Sequence, residues 1–293
     1  MKITLYLTDS TLEKRLRTAL IKGFERHGEQ VAYVPKHKFT PERARKTDLV
    51  VFVGVKGRQI FNDCKQVGVP TLMIDKGYFH RDRYLRFSLG DYQPPYFHAL
   101  NHDSSRLERQ LGIKLKPRVQ NGKLVVFAGS SDKYCLFHGL GSAHVYAHTV
   151  CTRLNELAGS SKTVVYRPKP SWWARHVLGD AKNWIPRNVK FSGPDNTLAG
   201  LLPNTHCLVT HGSNSAIEAL VHGVPVVLLS DEGISPVRPL CETKLENVLD
   251  PYWPSDEERL KIFSNLAHCQ FSIDEIAGGI MWTELKQWYG YKQ

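Results

Sequence analysis

The turn near residue 211 carries an unusual concentration of polar groups between two apolar runs. Residues 209–227 read VTHGSNSAIEALVHGVPVV. Gly212 allows a backbone to approach a ligand closely, and free N–H groups at the start of a helix attract phosphate. We therefore expect the turn to bind a ligand through a set of neighbouring side chains and backbone groups: His211, Gly212, Ser213, Asn214, Ser215 and, one helical turn later, Glu218.

A structural alternative exists for two of these residues. Ser215 and Glu218 have the spacing of a capping box, in which the Glu218 carboxylate would accept a hydrogen bond from the Ser215 backbone N–H. Capping alone does not require His211 or the hydroxyl and amide groups before Ser215. Ligand binding is therefore the stronger interpretation.

A pair of cations stands at the end of another apolar run, in the stretch VVYRPKP at 164–170. Proline restricts both itself and the residue before it, so Arg167 and Lys169 are expected to be held in extended backbone. A rigid pair of cations suits a diphosphate, and arginine can contact one through two parallel hydrogen bonds. The alternative is an exposed loop that is incidentally basic.

The second half of the chain holds two further candidate ligand-binding residues, and it lacks the patterns of a metal site and of a disulfide framework. Ser130 follows an apolar run, and His138 precedes a predicted helix, so both are expected at the same site. His144 and His148 have helical metal-ligand spacing but lack a third ligand, and we predict no metal site. None of the six cysteines forms a Cys-x-x-Cys pair, which predicts free thiols and a reducing, cytoplasmic location.

Strand and helix patterns alternate along most of the chain, which predicts parallel sheets. The predicted strands are 2–7, 30–34, 48–53, 70–74, 123–128, 162–166, 189–191, 207–210 and 224–229. The predicted helices are 10–27, 57–67, 144–157, 197–202 and 215–222, followed by a helical tail at 256–267 and 273–289. A polar, turn-rich stretch at 93–122 could carry an extra helix over 104–111 and separates two domains, 1–120 and 121–293. The fold class is α/β, with two Rossmann-like parallel-sheet domains facing a cleft, and ligands at the carboxyl ends of the strands.

The net charge of +11 is concentrated in the first part of the chain. Residues 1–120 hold 23 Lys and Arg against 12 Asp and Glu, whereas residues 121–293 hold 16 of each. A generally basic protein would spread its charge evenly, so the first domain is expected to meet a polyanion or an anionic membrane surface. The first apolar run has five residues, too short for a signal peptide or a membrane span, and no transmembrane segment is predicted.

The first domain offers two candidate general bases and a group of basic residues. Asp75 lies at a predicted strand end with His80 nearby, although Asp75 could equally cap a helix or pair with Lys76 or Arg81. Cations interleaved with aromatic residues suit a phosphate backbone with stacked bases, and also occur in solvated loops with a few core anchors. The candidate acceptor-binding cations are Lys56, Arg58, Lys76, Arg81, Arg83 and Arg86.

The second-half motifs resemble a known family. Arg-Pro-Lys-Pro at 167–170, followed by Glu218 in the pattern Glu-Ala-Leu-x-x-Gly-x-Pro-Val, resembles the carboxyl-terminal half of GT-B-fold glycosyltransferases of the capsule-polysaccharide and phage-borne type. Lys169 stands where a histidine is common. The resemblance implies that Glu218 holds a ribose or sugar hydroxyl, that the turn at 211–215 meets the phosphates, and that the basic strand end assists the leaving diphosphate. It implies a nucleotide-sugar co-substrate, a UDP-sugar first, with no other cofactor.

Resemblance and charge together predict transfer of a sugar to a hydroxyl of a polyanionic acceptor. DNA bearing hydroxymethylated pyrimidines, the substrate of phage DNA glycosyltransferases, is the leading expectation, and its target base would have to be extruded from the duplex. The chain would then act in a host cytoplasm. The alternatives are a capsule or lipid-linked glycan transferase, a GT-B-fold nucleotide-sugar epimerase, and a non-catalytic nucleic-acid binder.

Overall fold

A computed structural model describes residues 1–54, 57–94, 100–169, 185–193, 195–231 and 234–289. The chain forms two compact units, one comprising Met1–Gly112 with Lys261–Gln293 and the other Ile113–Leu260. The predicted division into residues 1–120 and 121–293 differs from this one, because the end of the chain joins the first unit instead of the second. The α/β fold class with two largely parallel sheets is confirmed.

The described residues contain eleven strands and ten α-helices. The strands are β1 (Lys2–Leu7), β2 (Gln30–Pro35), β3 (Leu49–Val53), β4 (Thr71–Lys76), β5 (Tyr84–Leu89), β6 (Leu124–Ala128), β7 (Thr163–Arg167), β8 (Lys190–Phe191), β9 (Thr205–Thr210), β10 (Val226–Leu228) and β11 (Gln270–Ser272). The helices are α1 (Thr11–Glu25), α2 (Pro41–Ala44), α3 (Arg58–Gln66), α4 (Asp132–Phe137), α5 (Ala143–Ala158), α6 (Leu198–Leu201), α7 (Ser215–Val221), α8 (Asp256–Ala267), α9 (Ile273–Ala277) and α10 (Ile280–Tyr289). In place of the predicted helix at 104–111 there is one π-helical turn, Arg106–Gln110.

The first unit is built on a six-stranded sheet in the order β11-β5-β4-β3-β1-β2. Strands β1 to β4 are parallel, whereas β5 runs antiparallel to β4, and β11 runs antiparallel to β5. The central strand β3 is a continuous apolar run, LVVFV, of which the first four residues are buried, as expected for a strand covered on both faces. The Ser10 hydroxyl caps α1 by accepting a hydrogen bond from the Glu13 backbone N–H.

The C-terminal segment belongs to the first unit because its polar side chains complete that unit's hydrogen bonding. Gln270 of β11 is fully buried, and its Oε1 accepts hydrogen bonds from the N–H groups of Tyr78 and Phe79 at 2.8 and 2.9 Å. The indole of Trp282 in α10 donates to the Glu29 carboxylate at 2.9 Å and packs edge-on against Phe24. Removing the segment would leave these groups unpaired in the core.

The second unit is built on a five-stranded sheet in the order β10-β9-β6-β7-β8, and every pair of neighbours in it is parallel. Helix α5 covers one face through Ala147, Cys151 and Leu154, which pack on β6 and β7. Crossover helices in such sheets bring the carboxyl ends of the strands to one edge.

Two chain-wide properties bear on the predictions. All six cysteines lie in the described ranges, and all are buried free thiols. None of the helices in the described ranges combines the length and the apolar character that a membrane-spanning helix requires.

Candidate functional site

The predicted ligand residues of the second unit come together at the carboxyl edge of its sheet. The strand register pairs Ala128 with both Arg167 and Thr210, and Thr210 with Leu228, so four neighbouring strands end at one level. Arg167 is the last residue of β7, and the loops after β6 and β9 carry Ser130 and the turn at 211–215. The sheet therefore brings together residues that are separated by more than eighty positions in the sequence.

The turn that follows β9 is held by hydrogen bonds of the Thr210 and Ser213 hydroxyls. The Thr210 hydroxyl donates to the Ala128 carbonyl at 3.1 Å and accepts from the Ser213 N–H at 3.4 Å. The Ser213 hydroxyl in turn accepts from the Ser215 N–H at 3.3 Å. Gly212 has a φ of +120°, a conformation that side chains disfavour. A Cβ placed there would lie 2.9 Å from the Tyr134 hydroxyl, so the glycine is required by conformation and by space.

His211 is buried inside a ring of aromatic residues. Its Nδ1 is hydrogen-bonded to the Tyr146 hydroxyl at 2.9 Å, and its carbonyl accepts from the Tyr134 hydroxyl at 3.2 Å. Burial, with a smaller contribution from the nearby His138, lowers the pKa of His211 to about 4. The imidazole is therefore neutral at physiological pH and serves as a hydrogen-bonding group, not as a cation.

The structure brings His138 to the same place, with its ring centroid 5.7 Å from that of His211 and 4.3 Å from that of Tyr134. Tyr134 and Tyr146 were not predicted as site residues. Their positions on α4 and α5 suggest packing roles, and only the tertiary contact shows that their hydroxyls fix His211.

Glu218 does not form the capping box that its spacing with Ser215 allowed. Helix α7 begins after Asn214, which makes no side-chain cap, and the Ser215 N–H bonds to Ser213 instead. The half-buried Glu218 carboxylate has no hydrogen-bond partner within the described ranges. Its charge acts on Arg167: burial lowers the pKa of Arg167, and Glu218 opposes that shift. The two halves of the predicted site therefore interact electrostatically.

Several buried polar atoms at this edge have no hydrogen-bond partner among the described residues. They are Arg167 Nε, Ser192 Oγ, Ser215 Oγ and Ser230 Oγ. A buried polar group without a partner costs about 1–3 kcal/mol, so such atoms rarely gather by chance. Their donors and acceptors are the kind that phosphates and sugar hydroxyls satisfy.

Sequence reasoning missed Ser192 and Ser230. Ser192 directly follows the two-residue strand β8, and Ser230 stands two residues after β10. Both serines directly follow predicted strands, 189–191 and 224–229, so a serine at a strand end was the available signal.

Ser130 and Lys169 stand on the loops after β6 and β7. Ser130 is half-buried, while Lys169 is exposed two residues beyond the strand end. The prolines on either side of Lys169 are Pro168, which is buried, and Pro170, which lies outside the described residues. Both loops leave the edge of the sheet that carries Arg167.

In the first unit, Asp75 is the partner of a buried arginine. Its Oδ2 lies 3.3 Å from Arg86 Nη2, and its Oδ1 accepts a hydrogen bond from the Lys76 N–H at 2.8 Å. Asp75 and Arg86 are also direct neighbours in the β4–β5 register. Asp75 therefore forms an ion pair, but with Arg86 and not with the predicted Lys76 or Arg81. The Asp75 side chain keeps 34% of its surface exposed.

His80 is the only residue other than glycine with a positive φ, 46°, in the described part of the chain. Its Nε2 is hydrogen-bonded to the Leu111 carbonyl at 2.6 Å, which ties the turn after β4 to the end of the π-helical segment. The structure assigns neither Asp75 nor His80 a catalytic role, and both stay predictions.

Arg86 does not lie on the basic surface to which the sequence assigned it. It is 8% exposed, and its guanidinium also donates to the Tyr92 carbonyl at 2.7 Å and the Gln93 side chain at 3.0 Å. The physical reason is that β5 lies inside the sheet, between β4 and β11, where a cation needs buried partners. The exposed candidates are Arg58, Lys76, Arg81 and Arg83, whereas Lys56 lies outside the described residues.

Comparison with known proteins identifies a fold but no family. No family model and no curated protein sequence matches the chain. Among solved structures, it is similar to the β-Kdo 2,7-transferase of KpsC from Thermosulfurimonas dismutans, with a TM-score of 0.58 at 15% identity over 98% of this chain and 100% of that one. It is also similar to the β-Kdo 2,4-transferase of the same KpsC, with a TM-score of 0.52 at 14% identity over 95% and 98% of the two chains. The chain therefore has the fold of these transferases, the GT-B type that its motifs predicted.

Proposed function

We propose that the protein is a glycosyltransferase that takes a sugar from a nucleotide-sugar and transfers it to a hydroxyl. The observation that carries the proposal is the carboxyl edge of the second unit's sheet. There Arg167, Glu218 and the turn at 211–215 converge, together with the hydroxyls of Ser192 and Ser230, which have no hydrogen-bond partner among the described residues. This combination of one cation, one carboxylate and several hydroxyls suits a sugar linked to a diphosphate.

Each group has a distinct part in the proposed reaction. The acceptor hydroxyl attacks the anomeric carbon, the bond from that carbon to the diphosphate oxygen breaks, and the hydroxyl proton passes to a base. Arg167 stabilises the charge that develops on the diphosphate, and Glu218 accepts a hydrogen bond from a ribose or sugar hydroxyl. Neutral His211, oriented by Tyr146, adds a hydrogen bond without adding charge.

The first unit would supply the acceptor contacts and the base. Asp75 is partly exposed, and the Nδ1 of His80 has no hydrogen-bond partner within the described ranges, so each can take a proton. The exposed cations Arg58, Arg81 and Arg83 offer charge for a polyanion. Substitution of each candidate base by its amide or asparagine tests which of the two is required.

The acceptor that we propose first is DNA carrying hydroxymethylated pyrimidines. By the division found in the structure, the first unit holds 23 Lys and Arg against 15 Asp and Glu, and the second holds 16 against 13. The surplus of the first unit is therefore eight charges, enough to attract a polyanion at moderate salt. An acidic glycan is the second candidate, since the proteins of similar fold are named as Kdo transferases.

The donor half of the proposal is tested by nucleotide binding. We would measure calorimetric affinities for UDP, CDP, GDP, ADP and dTDP and for their sugar conjugates with the wild-type protein and with Glu218→Gln. Loss of a charged hydrogen bond, about 1.5–3 kcal/mol, should weaken binding of the preferred nucleotide-sugar roughly 10- to 150-fold. Glu156→Gln, an exposed carboxylate on α5, is the matched control and should bind normally.

The acceptor half is tested by transfer of labelled sugar. Duplex and single-stranded DNA with hydroxymethylcytosine or hydroxymethyluracil should become labelled, and DNA with unmodified bases should not. Label on an acidic oligosaccharide alone would replace DNA by a glycan as acceptor. Interconversion of the sugar without any acceptor would identify an epimerase, and absence of nucleotide binding would refute the enzyme proposal altogether.

A further inference from the structure

Two histidines and a glutamate, none of them a predicted site residue, form a compact cluster in the first unit. His102, His268 and Glu284 each offer one nitrogen or oxygen atom, and these three atoms lie within 4.8 Å of one another. The rings of His102 and His268 stack face to face, 3.6 Å apart and 3° from parallel. His268 Nδ1 lies 3.8 Å from Glu284 Oε2.

Three separate segments of the chain position these side chains. His268 follows α8, Glu284 lies on α10, and His102 lies in the loop before the π-helical turn. Asn265 at the end of α8 joins two of the segments: its Oδ1 accepts from the His102 N–H at 3.2 Å, and its Nδ2 donates to the Leu100 carbonyl at 2.9 Å. Asn265 is 1% exposed, so the placement of His102 against His268 is built into the core.

The cluster is poorly explained as a set of ordinary packing residues. His102 Nε2 is buried and has no hydrogen-bond partner among the described residues. Two imidazoles in face-to-face contact cannot both carry a proton charge without strong repulsion, so at least one is neutral and has a free lone pair. The nitrogen of a neutral imidazole and the oxygen of a neighbouring carboxylate are both common metal ligands.

We propose that His102, His268 and Glu284 bind a divalent transition-metal ion of the Zn²⁺ class. Nitrogen ligands from two histidines and oxygen from a carboxylate suit Zn²⁺ and Co²⁺ better than Mg²⁺ or Ca²⁺, which prefer oxygen ligands. Two ligand atoms at about 2.0–2.2 Å from one tetrahedral ion lie closer together than the 3.8 Å that separates His268 Nδ1 from Glu284 Oε2. Binding would therefore draw the three side chains inward and open the parallel stack of the two rings.

Such an ion would act as a clamp within the first unit. It would join α10 to the end of α8 and to the loop that carries His102, beside the place where Arg106 donates to the Ala267 carbonyl and pairs with Glu275. The side chains of His268 and Glu284 are 18% and 30% exposed, so solvent can reach the ion and supply a fourth ligand. The site would stabilise the unit without any part in sugar transfer.

Metal binding is tested with protein that carries no polyhistidine tag and has been dialysed against EDTA. Co²⁺ titration should give the intense visible absorption of a four-coordinate site at one ion per chain, and Zn²⁺ should displace it. Zn²⁺ should also raise the melting temperature. Calorimetry should show at least tenfold weaker Zn²⁺ binding for Glu284→Gln and for His102→Asn, with His37→Asn, an exposed histidine of the same unit, as the matched control.

The results separate the proposal from its alternatives. Glu284 lies on a helix surface, so E284Q should fold in EDTA as the wild type does, even if H102N does not. The melting temperature of E284Q should no longer respond to Zn²⁺. Equal Zn²⁺ affinity in wild type and E284Q would place the ion elsewhere and overturn the assignment. Absence of both a Co²⁺ spectrum and a Zn²⁺ response at millimolar metal would show that the cluster is only a stacked histidine pair beside a carboxylate.

Discussion

Gly212→Ala is the substitution whose effect the structure defines best. Gly212 has a φ of +120°, and a Cβ there would lie 2.9 Å from Tyr134 Oη, 3.1 Å from Ile234 Cγ2 and 3.3 Å from Ser230 Oγ. All three distances are shorter than ordinary contacts, and the atoms belong to side chains packed at the edge of the sheet. The turn or its neighbours must therefore shift.

The expected cost combines two effects. A side chain in such a backbone conformation costs about 1–3 kcal/mol, and overpacking at a tight site adds about 1–3 kcal/mol. Moving Tyr134 also loosens its hydrogen bond to the His211 carbonyl, which contributes about 1 kcal/mol. Relaxation will offset part of this sum, and we expect Gly212→Ala to lower the free energy of unfolding by about 2–4 kcal/mol.

Urea unfolding followed by tryptophan fluorescence measures this loss, and Gly159→Ala is the matched control. Gly159 lies in the same unit at a φ of +53°, but a Cβ there meets no atom within 4 Å. It should therefore show the conformational cost alone, about 1–3 kcal/mol, without the cost of overpacking. Gly212→Ala should in addition weaken binding of the preferred nucleotide at least tenfold in the fraction that folds. Equal losses of stability for the two variants, with normal nucleotide binding, would refute the packing argument.

Two further predictions concern buried titratable groups. Burial alone would raise the pKa of Glu29, but hydrogen bonds from Lys286, the amino terminus and Trp282 lower it to about 2. Because the pKa of Glu29 in the folded state lies below its ordinary value of about 4.5, Glu29 contributes about 3 kcal/mol of stability above pH 5, and this contribution is lost as pH falls toward 2. The stability difference between wild type and Glu29→Gln should shrink over that range in urea titrations; a constant difference would contradict it. Because burial disfavours the cation of His211, its imidazole should titrate near pH 4 in an NMR experiment. The free energy of unfolding should therefore decrease as pH falls from 6.5 toward 4. A normal titration near pH 6.5 would contradict the burial argument.

The sheet of the second unit could be predicted because its strands are short apolar runs with turn residues between them. Parallel strands expose their carboxyl ends at one edge, so Arg167 and the turn at 211–215 could be expected together without any knowledge of the contacts. The register of Ala128 with Arg167 and Thr210 agrees with that expectation. Local pattern and a general rule of sheet topology were sufficient here.

The fate of the C-terminal segment could not be predicted in the same way. Its helical periodicity shows that one face is buried but does not name the surface that covers it. Gln270 and Trp282 attach the segment to the first unit through hydrogen bonds to Phe79 and Glu29, which lie more than 190 positions away in the sequence. Such pairs leave no trace in a local pattern. The antiparallel strand β5 was missed for a related reason, since Arg86 in its middle reads as a surface cation until Asp75 is placed beside it.

The donor and acceptor parts of the proposed reaction make different physical demands on the fold. A donor site must hold a diphosphate and a sugar within a fraction of an ångström, and only fixed groups at strand ends, such as Arg167 and the turn at 211–215, can do so. An electrostatic acceptor surface needs only enough net charge within a Debye length of its partner. The fixed Arg86, paired with Asp75, is of no use for that purpose, whereas the exposed Arg81 and Arg83 are suited to it. Salt should therefore weaken acceptor binding steeply and nucleotide binding only slightly, because the donor groups are partly buried and less screened.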